Sequence, residues 1–169
     1  MTHEEYQKAA SHWKVRDAGN SAMDRDSLLT AAETFIRAHN TCALATGAGT
    51  FVRCTPIEYM YRDASFWMFS EGGEKFFALE QNQNVCLAIY DPYEGFGKLR
   101  GMQVTGTAEL VAPFSSEYLA AAEAKKIPAE ALRKLPEPLH LIRITPARIE
   151  FLNSDFQKAG FSSRQEIVF

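Results

Sequence analysis

The stretch 102–110 constrains the fold more than any other part of this chain. Met102, Val104, Gly106, Ala108 and Leu110 fall on one side, and Gln103, Thr105, Thr107 and Glu109 on the other. Strict period-two alternation marks a strand with one face on a core and one away from it. Such a strand needs neighbours on both edges and a layer beneath its apolar face. Candidates recur at short intervals. Thr41-Cys-Ala-Leu-Ala-Thr reads as a strand, Gly47-Ala-Gly49 as its turn, and residues 50–61 as a second strand. After the polar turn Arg62-Asp-Ala, Ser65-Phe-Trp-Met-Phe reads as a third strand completing a meander. Residues 85–90 form a continuous apolar run, as expected of a strand covered on both faces. Two last strands, 139–145 and 147–152, meet at Pro146. About seven strands of this kind bury an apolar face only if the sheet curls or closes. The expectation is a mainly β chain, a small barrel with peripheral helices.

Helical spacing appears outside and between the strands. Residues 4–15 carry Tyr6, Ala9, Ala10 and Trp13 at helical intervals, and Ala18-Gly-Asn-Ser forms a polar joint. In the next segment Asp24 or Asp26 can cap a helix whose face is Leu28, Leu29, Ala32, Phe35, Ile36 and His39. His39 ends that face, as a partly buried structural histidine does. A short helix over 74–81 contributes Phe76, Phe77 and Leu79. A helical insert spans 116–135, with Pro128 suited to a first turn, and a polar tail covers 153–169. The implied organisation is a helical arm (1–23), a barrel (24–153) carrying the insert (115–136), and a tail (154–169).

Composition excludes several classes. A chain of 169 residues suits one domain, and its net charge of −3 argues against a nucleic-acid binder, which needs a basic stripe. The longest apolar run, 85–90, falls far short of the ~20 residues of a membrane helix. The N-terminus is polar and carries no export signal. Cys42, Cys54 and Cys86 are odd in number and lack a CxxC pair, so they read as reduced, buried small hydrophobes of a cytoplasmic protein. His3, His12, His39 and His140 have no ligand spacing, and no metal is expected.

Chemistry concentrates at Phe69-Ser70-Glu71-Gly72-Gly73-Glu74-Lys75-Phe76. A strand end, two glycines, a helix start and a lysine together describe a phosphate cradle, with Ser70 as hydroxyl donor. A surface helix with a solvated Lys75 has the same residues. Arg53 interrupts the apolar stretch 51–57, and a meander would bring it near Lys75, where two cations suit a phosphate dianion. An ion pair of Arg53 with Glu71 or Glu74 is the alternative.

The run from Val52 to Tyr61, then Phe66-Trp-Met-Phe-Ser, then Lys75 through Leu79-Glu-Gln-Asn82-Gln-Asn-Val85 to Asp91 resembles the FMN-binding split β-barrel family, the pyridoxamine 5′-phosphate oxidase-like proteins. The separation 75 − 53 = 22 residues matches the family without a gap, and Gln103-Val104-Thr105-Gly106 resembles its glutamine-bearing long strand. The resemblance runs from Asp24 to Leu152. It implies a six- to seven-stranded split barrel in which Arg53 and Lys75 hold the FMN phosphate. The backbone of Arg53, Cys54, Thr55, Pro56 and Ile57 would face the isoalloxazine edge. Phe69 and Ser70 would line the ribityl chain, and Gln103 would reach the ring, from a second subunit if the flavin sits at a homodimer interface.

Two departures bear on what that flavin would do. The family archetype has Ser-Arg-Lys at the phosphate turn, where this chain has Gly73-Glu74-Lys75. The archetype's C-terminal Arg-x-His substrate motif has no counterpart in 153–169, so vitamin B6 phosphate oxidation is not expected; Arg164 is a solvated tail residue or a contact for an anionic substrate. The implied function is an FMN-dependent oxidoreductase passing electrons from NAD(P)H to a small acceptor, with no protein nucleophile to name. The alternatives are a non-catalytic flavin or haem carrier or stress protein, with His140 or His39 as axial ligand, and a deazaflavin-dependent reductase.

Overall fold

Strand pairing begins with a hairpin. β1 (Thr41–Ala48) and β2 (Phe51–Glu58) pair antiparallel from Thr41 opposite Glu58 to Ala48 opposite Phe51. β3 (Met60–Arg62) follows after the single residue Tyr59, and β4 (Ser65–Ser70) turns back on it. β5 (Asn84–Tyr90), β6 (Arg100–Val111), β7 (His140–Asn153) and β8 (Arg164–Val168) complete one antiparallel sheet. The structure is a computed structural model that describes residues 1–17, 19 and 21–169. The expected joint at Ala18-Gly-Asn-Ser therefore has Ala18 and Asn20 outside the described residues.

The hydrogen-bonded path is β2-β1-β5-β6-β7-β4-β3, with β8 added to β7. β2 and β3 are the two ends of that path yet are separated by one residue in the chain. The sheet has to curl until its ends meet, which makes a split barrel of seven strands with β8 as an addition. Inside it, Leu44, Phe66, Met68, Leu87, Val104, Ile142, Ile144 and Ile149 are all fully buried. Each such side chain contributes about 1.5–3 kcal/mol.

Helices close the barrel. α2 (Arg25–Ala38) is started by Asp24, whose carboxylate accepts the Ser27 amide at 2.9 Å, and it buries Leu28, Ala32, Phe35 and Ile36 against the core. Burial at i, i+4, i+7 and i+8 is the stripe the sequence predicts. α3 (Lys75–Gln81) packs on β1 and β2. α4 (Ser116–Ala124) and α5 (Ala129–Arg133) lie on the outer face of β4 and β7 and form a second cluster with Trp67, Val111 and Leu141. α1 (His3–Asp17) leaves Tyr6 and Trp13 exposed.

Several local expectations change. The second strand of the meander ends at Glu58, and β4 stands at the opposite end of the path from β2, so the third strand pairs with β3 and β7 instead. The two last strands are one, because a bulge between Thr105 and Gly106 places Pro146 opposite Gly106 and lets the chain continue. The insert is two helices, with Pro128 as the N-cap of the second. The tail holds a 3-10 segment (Ser154–Ala159) and β8. The alternation of β6 holds to Ala108, after which Val111 rather than Leu110 is buried. β5 is covered on one face only, since Val85, Leu87 and Ile89 are buried while Tyr90 is exposed. Of the cysteines, Cys42 is buried, Cys86 half-buried and Cys54 exposed on the outer face of β2.

Candidate functional site

The turn between β4 and α3 is built on backbone that only glycine adopts freely. Gly72 and Gly73 have φ of 150° and 109°. Ser70 stitches the turn: its hydroxyl donates to the Gly72 carbonyl at 3.1 Å and accepts the Gly72 amide at 3.3 Å. Lys75 folds back over the same turn and donates to the Gly72 carbonyl. Its side chain also lies 4.9 Å from the centre of the Phe76 ring. Lys75 is only 5% exposed, and this burial pushes its pKa below 10.5. Among the described residues no carboxylate pairs with it.

Arg53 arrives from β2. It sits directly across from Thr46 on β1, so both side chains share a face. Thr46 is 3% exposed and its Oγ1 has no hydrogen-bond partner. Arg53 is half-exposed and its guanidinium reaches Glu74 at 3.1 Å. The packing of α3 on β1 and β2, not a β2–β4 ladder, brings Arg53 to Glu74, the residue before Lys75. The result is a buried ammonium at Lys75, an exposed guanidinium at Arg53 paired with Glu74, and an orphaned hydroxyl at Thr46. Such a set can hold an oxyanion.

The other expected residues divide by face. Thr55 and Ile57 lie on the Arg53 side and are half-buried, whereas Cys54 and Pro56 point outward. One edge of β2 pairs with β1 along its full length; among the described residues the other edge forms no ladder, so it can offer backbone groups to a ligand. The Phe69 ring turns away from Ser70 and meets Tyr118 edge-on at 5.3 Å, where it serves the packing of α4. Gln103 is remote. Pro56, Ala43, Ala88 and Gln103 form one row across the outer face, three strand spacings or about 14 Å wide. Arg53 is on the opposite face, so one chain does not bring Gln103 to it.

Two histidines separate in role. The His39 Nδ1 donates to the Phe35 carbonyl and Nε2 faces Asp91 Oδ1, both at 2.8 Å, which ties the end of α2 to the chain after β5. His140 stands across from Ser70, and its ring packs on Phe76 at 4.7 Å. Thr46 and the placing of His140 beside the turn were not readable in the sequence, since only strand register puts them there. Burial drives the Cys42 thiol up to about 12 and keeps it protonated. No group of three or more potential metal ligands occurs among the described residues, and none of their helices is long and apolar enough to cross a membrane.

A curled antiparallel sheet of this strand order matches a known family. The model of the pyridoxamine 5′-phosphate oxidase family matches residues 28–153, and the chain belongs to that family. No curated protein matches it. Among solved structures, Campylobacter jejuni ChuZ is similar at 15% identity and a TM-score of 0.65, over 99% of this chain and 70% of that one. A FAD-binding protein from Mesorhizobium loti shares 19% identity at a TM-score of 0.59, over 72% and 89%. The haem storage protein HutZ from Vibrio cholerae shares 16% at 0.56, over 69% and 88%. At these identities the likeness is one of fold.

Proposed function

We propose that the chain is an FMN-binding flavoprotein whose phosphate site is formed by Arg53, Lys75 and the turn at Ser70. The observation that carries this reading is Lys75. A cation so deeply buried costs several kcal/mol when nothing of opposite charge compensates it, and here its neighbours are a carbonyl and a ring. A phosphate monoester, with a charge of about −1.5 to −2, is the partner this arrangement lacks. The partnerless Thr46 hydroxyl beneath Arg53 fits the same group. The free edge of β2 from Arg53 to Ile57 offers amides and carbonyls to the polar rim of a flavin ring.

A bound flavin supplies hydride and electron transfer that no side chain here performs. The protein's part is to neutralise the phosphate, orient the ring along β2 and exclude water with the barrel wall. We assign the reductant as a reduced nicotinamide and the acceptor as a small molecule. Because Gln103 and Arg53 lie on opposite faces, the reading that both touch one flavin requires a homodimer. The FAD-binding name of the Mesorhizobium relative supports a flavin as the cofactor class. A haem-binding role is the second reading, favoured by His140, whose ring stands at the same turn, and by the haem storage name of HutZ. His39 is unsuited to it, with both ring nitrogens engaged.

The absorption spectrum of freshly purified protein, with mass spectrometry of the released chromophore, tests the proposal. A two-banded yellow spectrum that releases FMN is expected. A single intense Soret-type band transfers the assignment to haem and His140. Colourless protein that takes up neither overturns both.

A further inference from the structure

At the rim of the barrel the start of β7 faces the end of β4. Ser70 pairs with His140, so the two side chains leave the sheet side by side, on the face that also carries Met68 and Ile142. The Ser70 hydroxyl and the Lys75 ammonium both donate to the Gly72 carbonyl, which draws them together over the turn. Phe76 ties in the third group. The centre of its ring lies 4.9 Å from Lys75 Nζ and 4.7 Å from the centre of the His140 imidazole. A hydroxyl, an ammonium and an imidazole therefore surround one turn.

The imidazole is packed on one side and idle at its nitrogens. Among the described residues neither ring nitrogen of His140 makes a hydrogen bond and no carboxylate pairs with it, whereas His39 engages both of its own. His140 is exposed, so a ligand at the turn can reach it. Ser70 faces it from β4, and Phe76 and Lys75 from α3; β6, along the other edge of β7, ends at Val111 opposite Leu141 and brings no charge there. The carboxylates of the turn are Glu71, which is exposed and pairs with no cation among the described residues, and Glu74, which Arg53 engages at 3.1 Å. That ion pair offsets Arg53. Lys75 is left as the one unpaired cation for a phosphate monoester, whose charge is about −1.5 to −2 and which has three acceptor oxygens. A second cation beside Lys75 completes the match, and histidine is the side chain that takes up a proton between about pH 5 and 8.

We infer that His140 is a third donor to the flavin phosphate, closing the site that Ser70 and Lys75 begin and taking a proton from solution as the phosphate binds. The inference rests on the flavin reading and adds a proton-linked contact to it. Fluorescence titration of the full chain with FMN near pH 6 and near pH 8.5 tests it. The ratio of wild-type to variant affinity at each pH cancels the titration of the phosphate itself, whose second pKa is about 6. His140→Gln, which keeps a neutral donor, should bind FMN about tenfold more weakly than the wild type near pH 6 and within about twofold of it near pH 8.5. His140→Arg, a permanent cation, should hold wild-type affinity near pH 6 and exceed the wild type near pH 8.5. Riboflavin, which lacks the phosphate, should not distinguish the three proteins. Equal FMN affinity of wild type and His140→Gln near pH 6, a loss repeated with riboflavin, or a His140→Arg protein no better than His140→Gln overturns the proposal. So does a Soret band that the wild type shows and His140→Gln loses, which assigns the ring to haem. A wild type that takes up no FMN at either pH overturns the flavin reading as well, whereas FMN affinity that Lys75→Ala lowers and His140→Gln does not removes His140 alone.

Discussion

Lys75 trades stability for charge. Burial holds its pKa below the 10.5 of the unfolded chain, so the unfolded state binds the proton more tightly. The penalty is complete below the lowered folded pKa and fades as pH rises towards 10.5, where neither state carries the proton. Lys75→Met should therefore raise stability at neutral pH by about 1 kcal/mol, an advantage that shrinks above the lowered pKa, and should weaken FMN binding at least about tenfold. Melts across pH and flavin fluorescence titration measure both; a destabilised variant with intact FMN affinity contradicts the assignment. Glu74 acts in the opposite sense. Its carboxylate occupies Arg53 at 3.1 Å where the family archetype has a cation. Glu74→Gln should tighten FMN by up to about fivefold, the scale of an exposed ion pair, and the same titration reads it. Arg53, Ser70 and Lys75 were singled out in the sequence because residue type carries their chemistry. Thr46 was not, since a threonine in an apolar strand reads as β-propensity until register sets it opposite Arg53.

At the scale of elements, β7 backbone packs against Gly106 of β6 with no room for a side chain. A Cβ there would lie 2.4 Å from the Thr145 carbonyl oxygen, on backbone that cannot swing aside. Gly106→Ala should cost about 2–3 kcal/mol, seen as a lower denaturant midpoint with an unchanged slope; a cost under about 0.5 kcal/mol would mean that the bulge is not held as described. Sequence pattern located this strand and its inward face, yet treated Pro146 as a break. Proline ends a strand only where its missing N–H is needed, and a bulge removes that need. Likewise residues 50–61 read as one strand because Tyr59 is as apolar as its neighbours. Its hydroxyl donates to the Ile36 carbonyl at 2.7 Å, anchoring the change from β2 to β3 against α2. Nothing local announces such a contact.

For the whole molecule, the outer face of β1, β5 and β6 carries Ala43, Ala45, Cys86, Ala88 and Gln103, small or polar groups of which Ala88 and Gln103 line a groove beside α1. The proposed homodimer would place this face against a second copy. Light scattering should give twice the chain mass. Ala88→Arg, which sets a bulky charge in the middle of the face, should yield monomers and lower FMN affinity at least about tenfold. A wild-type monomer that retains FMN contradicts the two-chain site. The sequence by itself determined the class of fold and the capped α2 helix and singled out Arg53, Ser70 and Lys75, because periodicity, capping and side-chain chemistry are local. Tertiary structure decided that the barrel closes through Tyr59, that α3 rather than a neighbouring strand sets Glu74 against Arg53, that Gln103 faces away from Arg53, and that Trp13 and Arg164 meet. Each of these depends on which strands pair and in what register, a choice made by burial summed over the whole sheet.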